Sequence, residues 1–180
     1  MKLFKKWSLR VLGLMPKAIS YPIYRQFINI DYSLDSSVVV KLAETKEEFE
    51  QAFRLVYKNY CGVGLQDKMK AGLRVTIYNA LPSSSTIVAK VENRVVGTLS
   101  LVKDSHYGLP SENITDLSPL KAPQNTLAEF SGLAIDRAYK GKLLLPLMKY
   151  AYEYALNYAG VTHLIAVLTT PTKSHQIYEA

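Results

Sequence analysis

The 180 residues contain one cysteine, one tryptophan and three histidines, and each scarcity removes a class of chemistry. A single thiol, Cys61, can form no disulfide within the chain and builds no thiolate metal cluster, which fits a reducing cytoplasm. His106, His163 and His175 show no metal-ligand spacing, so no metal is expected. No apolar run approaches the ~20 residues needed to cross a bilayer, and there are no repeats or low-complexity tracts. Acidic residues are also in deficit: 15 Asp and Glu face 22 Lys and Arg, a net charge of +7. That excess suits an acidic partner, whether nucleic acid, an anionic membrane surface or an acidic carrier protein. Plain solubility is the other reading. The lack of zinc spacing and of a base-stacking motif counts against nucleic acid.

What is present is a chain able to bury a core. Hydrophobic residues make up 48% and charged residues 21%, which favours a globular domain over disorder. Residues 1–37 read as an extension and 38–180 as one domain. In the first 17 residues, Lys2, Lys5, Lys6, Arg10 and Lys17 alternate with Leu3, Phe4, Trp7, Val11, Leu14 and Met15. The apolar positions share a helical face, so the segment can lie on a membrane surface or pack on the domain. Ser8, Arg10 and Gly13 interrupt it too often for a cleaved signal peptide.

Residues 18–37 look like an irregular connector. Val38–Ala43 is a strand candidate, and Thr45 with Glu48 forms a capping box before a helix to about Asn59, closed by Gly62 and Gly64. Residues 66–80 are ambiguous. Ile87–Val91 and Val95–Val102 are β-rich runs joined by Glu92-Asn93-Arg94, hence a hairpin. Residues 103–126, with Gly108, Pro110, Pro119 and Pro123, form a connection of the length that serves as lid or binding loop, with a helical turn within 113–121. A strand over 127–135, a helix over about 144–158 capped by Gly160, and a buried strand over 163–168 complete a βαβ unit with parallel strands.

The most informative stretch is the strand, basic turn and helix from Asn125 to Ala155. A strand feeding a helix N-terminus is a common way to hold a phosphorylated group. Here the strand carries a carboxylate, Glu129, among apolar neighbours. If alternation is unbroken, Glu129 shares a face with Leu127, Ser131 and Leu133. A phosphate-facing turn beside a base points to transfer chemistry on a phosphate-tagged carrier.

The order of elements resembles the GCN5-related N-acetyltransferase (GNAT) fold. Leu73-Arg-Val-Thr-Ile-Tyr, Ala80-Leu-Pro, the run from Val95 to Ser105, Gly108-Leu-Pro, Ala128-Glu-Phe-Ser-Gly-Leu-Ala-Ile-Asp and Leu144-Leu-Pro-Leu-Met-Lys-Tyr-Ala-Tyr resemble its N-acyl amino acid synthase branch. That branch includes N-acyltyrosine synthases and is related to acyl-homoserine lactone synthases. The resemblance implies an α/β domain whose mixed sheet has a splayed central parallel strand pair flanked by helices. It implies a pantetheine arm pairing with backbone groups of Leu133, Ala134 and Ile135 like an added strand, beside the turn Lys140-Gly141-Lys142. No cofactor is held permanently; the donor is the acyl-phosphopantetheine of acyl carrier protein, with acyl-coenzyme A as the alternative.

By the same resemblance Glu129 is the general base, in place of a carboxylate paired with lysine. Ser131 contacts the thioester or a bound water, or else local backbone. Tyr178 stands where relatives place the tyrosine that protonates the departing thiolate; packing on the sheet is its other reading. Arg54 and Arg74 are candidates for gripping the acceptor's carboxylate, with surface ion pairs as the alternative.

Departures from the family narrow the expectation. Ordinary acetyltransferases place glycines where this chain has Leu143 and Leu145, which are expected to obstruct close approach of a diphosphate. An acyl carrier protein presents one phosphodiester and an acidic surface, and Arg137, Lys140, Lys142 and Lys149 suit it. Ser131-Gly132 replaces the Ser-Arg pair of lactone synthases, and Ser100 replaces an arginine, so a plain amino acid is favoured over a sulfonium-bearing acceptor. Relatives continue past the tyrosine through two more strands, so the chain looks truncated at its C-terminus. The expected activity is transfer of a fatty acyl group from acyl carrier protein to an amino acid's α-amine in the cytoplasm. The rivals are an acetyl-coenzyme A acetyltransferase and a non-catalytic module binding carrier protein or membrane.

Overall fold

Five strands and two α-helices make up the regular elements of residues 34–168, the part of the chain described by the computed structural model. The basic segment 1–17, most of the connector and Tyr178 lie outside the described residues. Strand β1 (Val38–Leu42) leads into helix α1 (Lys46–Gly62), then come β2 (Ser84–Val91), β3 (Arg94–Lys103), β4 (Leu127–Ile135), α2 (Leu144–Asn157) and β5 (His163–Ala166). The sheet order is β1-β2-β3-β4-β5, antiparallel throughout except for the parallel β4–β5 pair.

Local chemistry accounts for the elements. The capping box is formed: Thr45 Oγ1 accepts from Glu48 N at 3.2 Å, and Glu48 Oε2 accepts from Thr45 N at 3.4 Å. Glu48 also receives Lys90 Nζ at 2.7 Å and Lys41 Nζ at 3.3 Å. These partners, Lys90 foremost, lower its pKa from the usual 4.5 to about 2. Helix α1 buries Ala52, Leu55 and Val56, the i, i+3, i+4 stripe of a one-faced helix. Gly64, at φ +75°, takes the left-handed conformation that turns the chain away past its end.

The two helices lie against different residues of the sheet. Ala52, Leu55 and Val56 of α1 pack with Val88, Val95 and Ala134, whereas Leu143, Leu147 and Ala151 pack with Ile87, Val96 and Leu99. Strand β3, covered on both faces, is buried continuously from Val95 to Val102, including the polar Thr98 and Ser100. Gly97 lies under α2, where a Cβ would sit 3.0 Å from Leu147 Cδ1 and 3.3 Å from Leu143 Cδ1.

Two expectations change here. Strand β5 is short and half-buried rather than a buried run over 163–168, because among the described residues it is an edge strand with one neighbour. The connection 103–126 has more structure than the single turn expected within 113–121. It forms turns of 3-10 helix at Pro110–Asn113 and Ser118–Leu120. Leu109 and Leu117 are driven into a cluster with Val102 and Leu127.

Candidate active site

Strand β4 changes its surroundings half-way along. From Ala128 to Phe130 it is paired on both sides, with β3 and with β5. Beyond the Phe130–Ala166 pair β5 ends, and residues 131–135 keep only β3 beside them among the described residues. A cavity of about 520 Å³ opens at this split.

At the same point β4 bulges. Ser131 faces Ser100 and Ala134 faces Thr98, so Gly132 and Leu133 together stand opposite Leu99. Gly132 has φ +64°, a conformation glycine adopts without penalty. The extra residue breaks the alternation expected for this strand. Leu127 clusters with Val102, the β3 partner of Glu129, whereas Leu133 packs into the cluster of α2 and Ala134 into that of α1.

The bulge also decides which backbone groups face the split. Asp136 N donates to Val96 O at 2.8 Å, so the intervening Ile135–Gly97 pair points its own amide and carbonyl away from β3. Ala134, one residue back, turns its groups toward Thr98. Of the three residues expected to offer backbone groups, Ala134 therefore does not. Ile135 does, and its carbonyl already accepts from Asn59 Nδ2 of α1 at 3.0 Å.

Glu129 is 3% exposed and borders the cavity. Its Oε2 accepts from the backbone N–H of Ser111 at 2.8 Å. None of the salt bridges among the described residues includes it, which removes the paired-carboxylate reading. Among the described residues Oε1 has no hydrogen-bond partner, and it is not among the buried unsatisfied atoms, so it keeps some exposed surface. The loop that presents Ser111 is braced. Glu112 Oε1 accepts from Leu109 N at 2.7 Å and pairs with Lys121 Nζ at 2.8 Å, and Lys121 reaches Asp104 at 3.4 Å. The Lys121 hydrogen bond holds the Glu112 carboxyl below its ordinary range.

Across the cavity wall, Arg74 rests its guanidinium over the Tyr60 ring, 4.8 Å from the centroid, and donates from Nη1 to Gln66 Oε1 at 2.8 Å. Burial raises the Tyr60 hydroxyl above its usual pKa, opposed by the Arg74 charge and the Gly132 backbone amide. Arg54 is not part of this arrangement. It is exposed beside Gly72, off the face that Ala52, Leu55 and Val56 define.

Lys140, Gly141 and Lys142 are exposed in the turn before α2 and do not border the cavity. Met148, one helical turn after Leu144, does. Leu143 corrects a further expectation. It is 1% exposed and packed inward on Gly97, so it cannot obstruct a donor at the turn. Leu145 is 40% exposed in the first turn of α2 and does not line the cavity. Apolar side chains of Val63, Ile114, Val167 and Leu168 are exposed around the opening.

This arrangement, a strand pair parted beside a buried carboxylate, is where comparison with known proteins becomes informative. The profile of the family described as N-acyl amino acid synthase FeeM matches residues 51–174. The chain belongs to this family. It is an acyltransferase. No curated protein matches it. Among solved structures it is similar to FeeM, an N-acyl amino acid synthase from uncultured soil microbes, at 22% identity and TM-score 0.67, over 78% of this chain and 75% of that one. The acyl-homoserine lactone synthase LasI follows at 18% identity and TM-score 0.61, over 80% and 78%. A predicted acetyltransferase with acetyl-CoA from Clostridium acetobutylicum shares 11% identity at TM-score 0.55, over 79% and 89%. At such identities these structures establish the GNAT fold.

The structure thus brings Glu129, Ser131, Leu133 and Arg74 to one cavity and leaves Arg54, Ala134, Ile135 and the Lys140–Lys142 turn off its lining. Asn59, Tyr60 and Ser111 join the site without having been singled out. Asn59 follows Leu55 and Val56 at helical spacing, and Ser111 directly follows the Gly108-Leu-Pro motif, so signals for both were in the sequence. Nothing in the sequence marked Tyr60 as the platform under Arg74.

Proposed function

We propose that this acyltransferase moves a fatty acyl group from acyl carrier protein to the α-amine of an amino acid. The observation that carries the proposal is the split between β4 and β5 with the Glu129 carboxylate on its wall. A pantetheine arm laid along residues 133–135 brings its thioester toward that wall, with Asn59 giving way or pairing beside it. Glu129 Oε1 accepts a proton from the acceptor ammonium. The free amine then attacks the thioester carbonyl carbon and the C–N bond forms; as the C–S bond breaks, the nitrogen gives up its second proton, so that proton loss from nitrogen balances proton gain by the thiolate. Ser131 contacts the thioester oxygen or a water, and Tyr178 supplies the last proton; the role of Tyr178 rests on sequence resemblance alone.

The apolar rim supports a fatty rather than an acetyl chain. Preference for carrier protein over coenzyme A is supported by exposed Leu145 and by the exposed cations of the turn, since an acidic protein gains encounter rate from them. Cytoplasmic placement, with residues 1–17 touching the inner membrane surface, belongs to the same proposal.

The test is direct. The full chain is incubated with carrier proteins bearing acyl groups of several lengths, or with the matching acyl-coenzyme A thioesters, plus pooled amino acids, and products are read by mass spectrometry. Long-chain N-acyl amino acids formed faster from carrier protein are expected. Product from coenzyme A alone overturns the donor, and no N-acyl product overturns the function.

A further inference from the structure

Ser111 reaches Glu129 through its backbone N–H at 2.8 Å, and its own side chain does nothing to fix it there. Among the described residues the buried Ser111 hydroxyl has no hydrogen-bond partner. The position of the donor is therefore set by the loop around it, and three charged groups join the legs of that loop. Lys121, on the returning leg, pairs with both carboxylate oxygens of Glu112, at 2.8 and 2.9 Å, and reaches Asp104, on the outgoing leg, at 3.4 Å. Asp104 N donates to Leu127 O at 2.9 Å, which ties the triad to β4 two residues before Glu129. Glu112 directly follows Ser111 and folds back over the turn. Its Oε1 accepts from Leu109 N at 2.7 Å and lies against Gly108, where a Cβ would sit 2.8 Å away. The three side chains are between 24% and 33% exposed, so water screens them less than an ordinary surface pair. Each partner keeps the other charged: the Glu112 hydrogen bond raises the Lys121 ammonium, and that of Lys121 lowers the Glu112 carboxyl. Leu109 and Leu117 seat the loop on the sheet, and the triad fixes the tip that carries the donor.

We infer that Lys121 is a positioning residue for acyl transfer: acting through Glu112 from outside the cavity, it holds the Ser111 N–H on the Glu129 carboxylate. The inference rests on the N-acyl transfer reading above and adds a residue that governs its base. A carboxylate that accepts an N–H bond is favoured in its charged form, which is the form that takes a proton from the acceptor ammonium. A tip released by Lys121 weakens that bond, so the carboxylate is protonated at higher pH and fewer molecules carry a working base near neutrality. The other charged and titratable groups around Glu129 are Tyr60 of α1 and Arg74 of the loop after it, both on the cavity lining, with Tyr78 packed on the Leu127 cluster and His163 of β5 beside Leu127. None of them belongs to the triad, so substitutions within it leave them in place.

The experiment records the pH profile of kcat/KM for the full chain and for Lys121→Met, Glu112→Gln and the conservative Lys121→Arg, with an acylated carrier protein as donor. In Lys121→Met and Glu112→Gln the acid limb should move up by about one pH unit, while rates on the alkaline side stay within about threefold of wild type. Lys121→Arg keeps the charge and should keep the wild-type limb. A brace that served stability alone would lower the melting temperature and scale the whole profile without moving its limb. A limb unmoved in both disrupted variants, or moved as far in Lys121→Arg, overturns the inference and leaves the acyl-transfer reading standing. If the wild-type chain acylates nothing, that reading falls, and hydrogen exchange at the Ser111 amide, followed by NMR, decides the positioning role alone. Protection in wild type and Lys121→Arg, with exchange at least about tenfold faster in Lys121→Met, upholds it; equal exchange overturns it. Glu112→Gln carries both measurements if Lys121→Met does not fold.

Discussion

The two halves of β4 have similar composition and opposite roles. Leu127–Glu129 is buried, and Ala128–Phe130 is paired on both sides. Ser131–Ile135 has one strand partner among the described residues, a bulge at its start and a cavity against its first three residues. Nothing in the residue types of the second half forbids pairing, and Leu133, Ala134 and Ile135 are as suited to a sheet as Leu127 and Ala128. The difference comes from β5 ending at Ala166 and from Gly132 taking φ +64°. The site is thus made by pairing that stops, and Glu129 occupies the last stretch of the paired half, where it is buried yet open on one oxygen.

The sharpest way to break this comparison is at that carboxylate. Glu129→Gln keeps the shape and removes the base, and acyl transfer should fall by roughly a hundredfold or more while melting is little changed. An equally active variant, measured under saturating donor, would remove Glu129 as base and leave the split as a binding slot only. Next comes the rim. Reversing charge with Lys140→Glu and Lys142→Glu together should raise KM for acyl carrier protein by about tenfold at low salt, with the effect fading as salt rises. A salt-independent loss would place these lysines outside the docking surface.

The paired part of the sheet should respond differently, in stability rather than rate. Glu48→Gln removes a carboxylate that joins the α1 cap to β1 and β2 through Lys41 and Lys90, at a cost of roughly 1–3 kcal/mol near neutral pH. The folded pKa of about 2 lies below the ordinary 4.5, so this contribution is complete above about pH 5 and disappears as pH falls through 2. Wild-type and variant melting curves should therefore converge in acid. A gap that persists at pH 2 would mean packing, not charge, is what the substitution disturbs.

Much of the framework was legible along the chain. The capping box of Thr45 and Glu48, the hairpin and the full extent of β4 could be read because each depends on neighbours within a few residues. Glu129 and Ser131 stood out through the motif around them, and both border the cavity. The readings that failed share a cause. Period-two alternation placed Leu133 beside Glu129, but one extra residue at Gly132 moved it to the other face. Leu143 looked like an obstacle at the turn until its side chain proved to be filling the space above Gly97.

By itself, the sequence determined which segments become strands and helices, the family and the presence of a carboxylate on the central strand, because propensity, capping and motif order act over short distances. Only the tertiary structure decided that β4 and β5 part after Phe130, that Ser111 supplies the hydrogen bond to Glu129, and that Arg74 rather than Arg54 faces the cavity. Those outcomes depend on contacts between residues far apart in the chain, where packing and a single bulge, rather than local preference, choose the side on which each group ends.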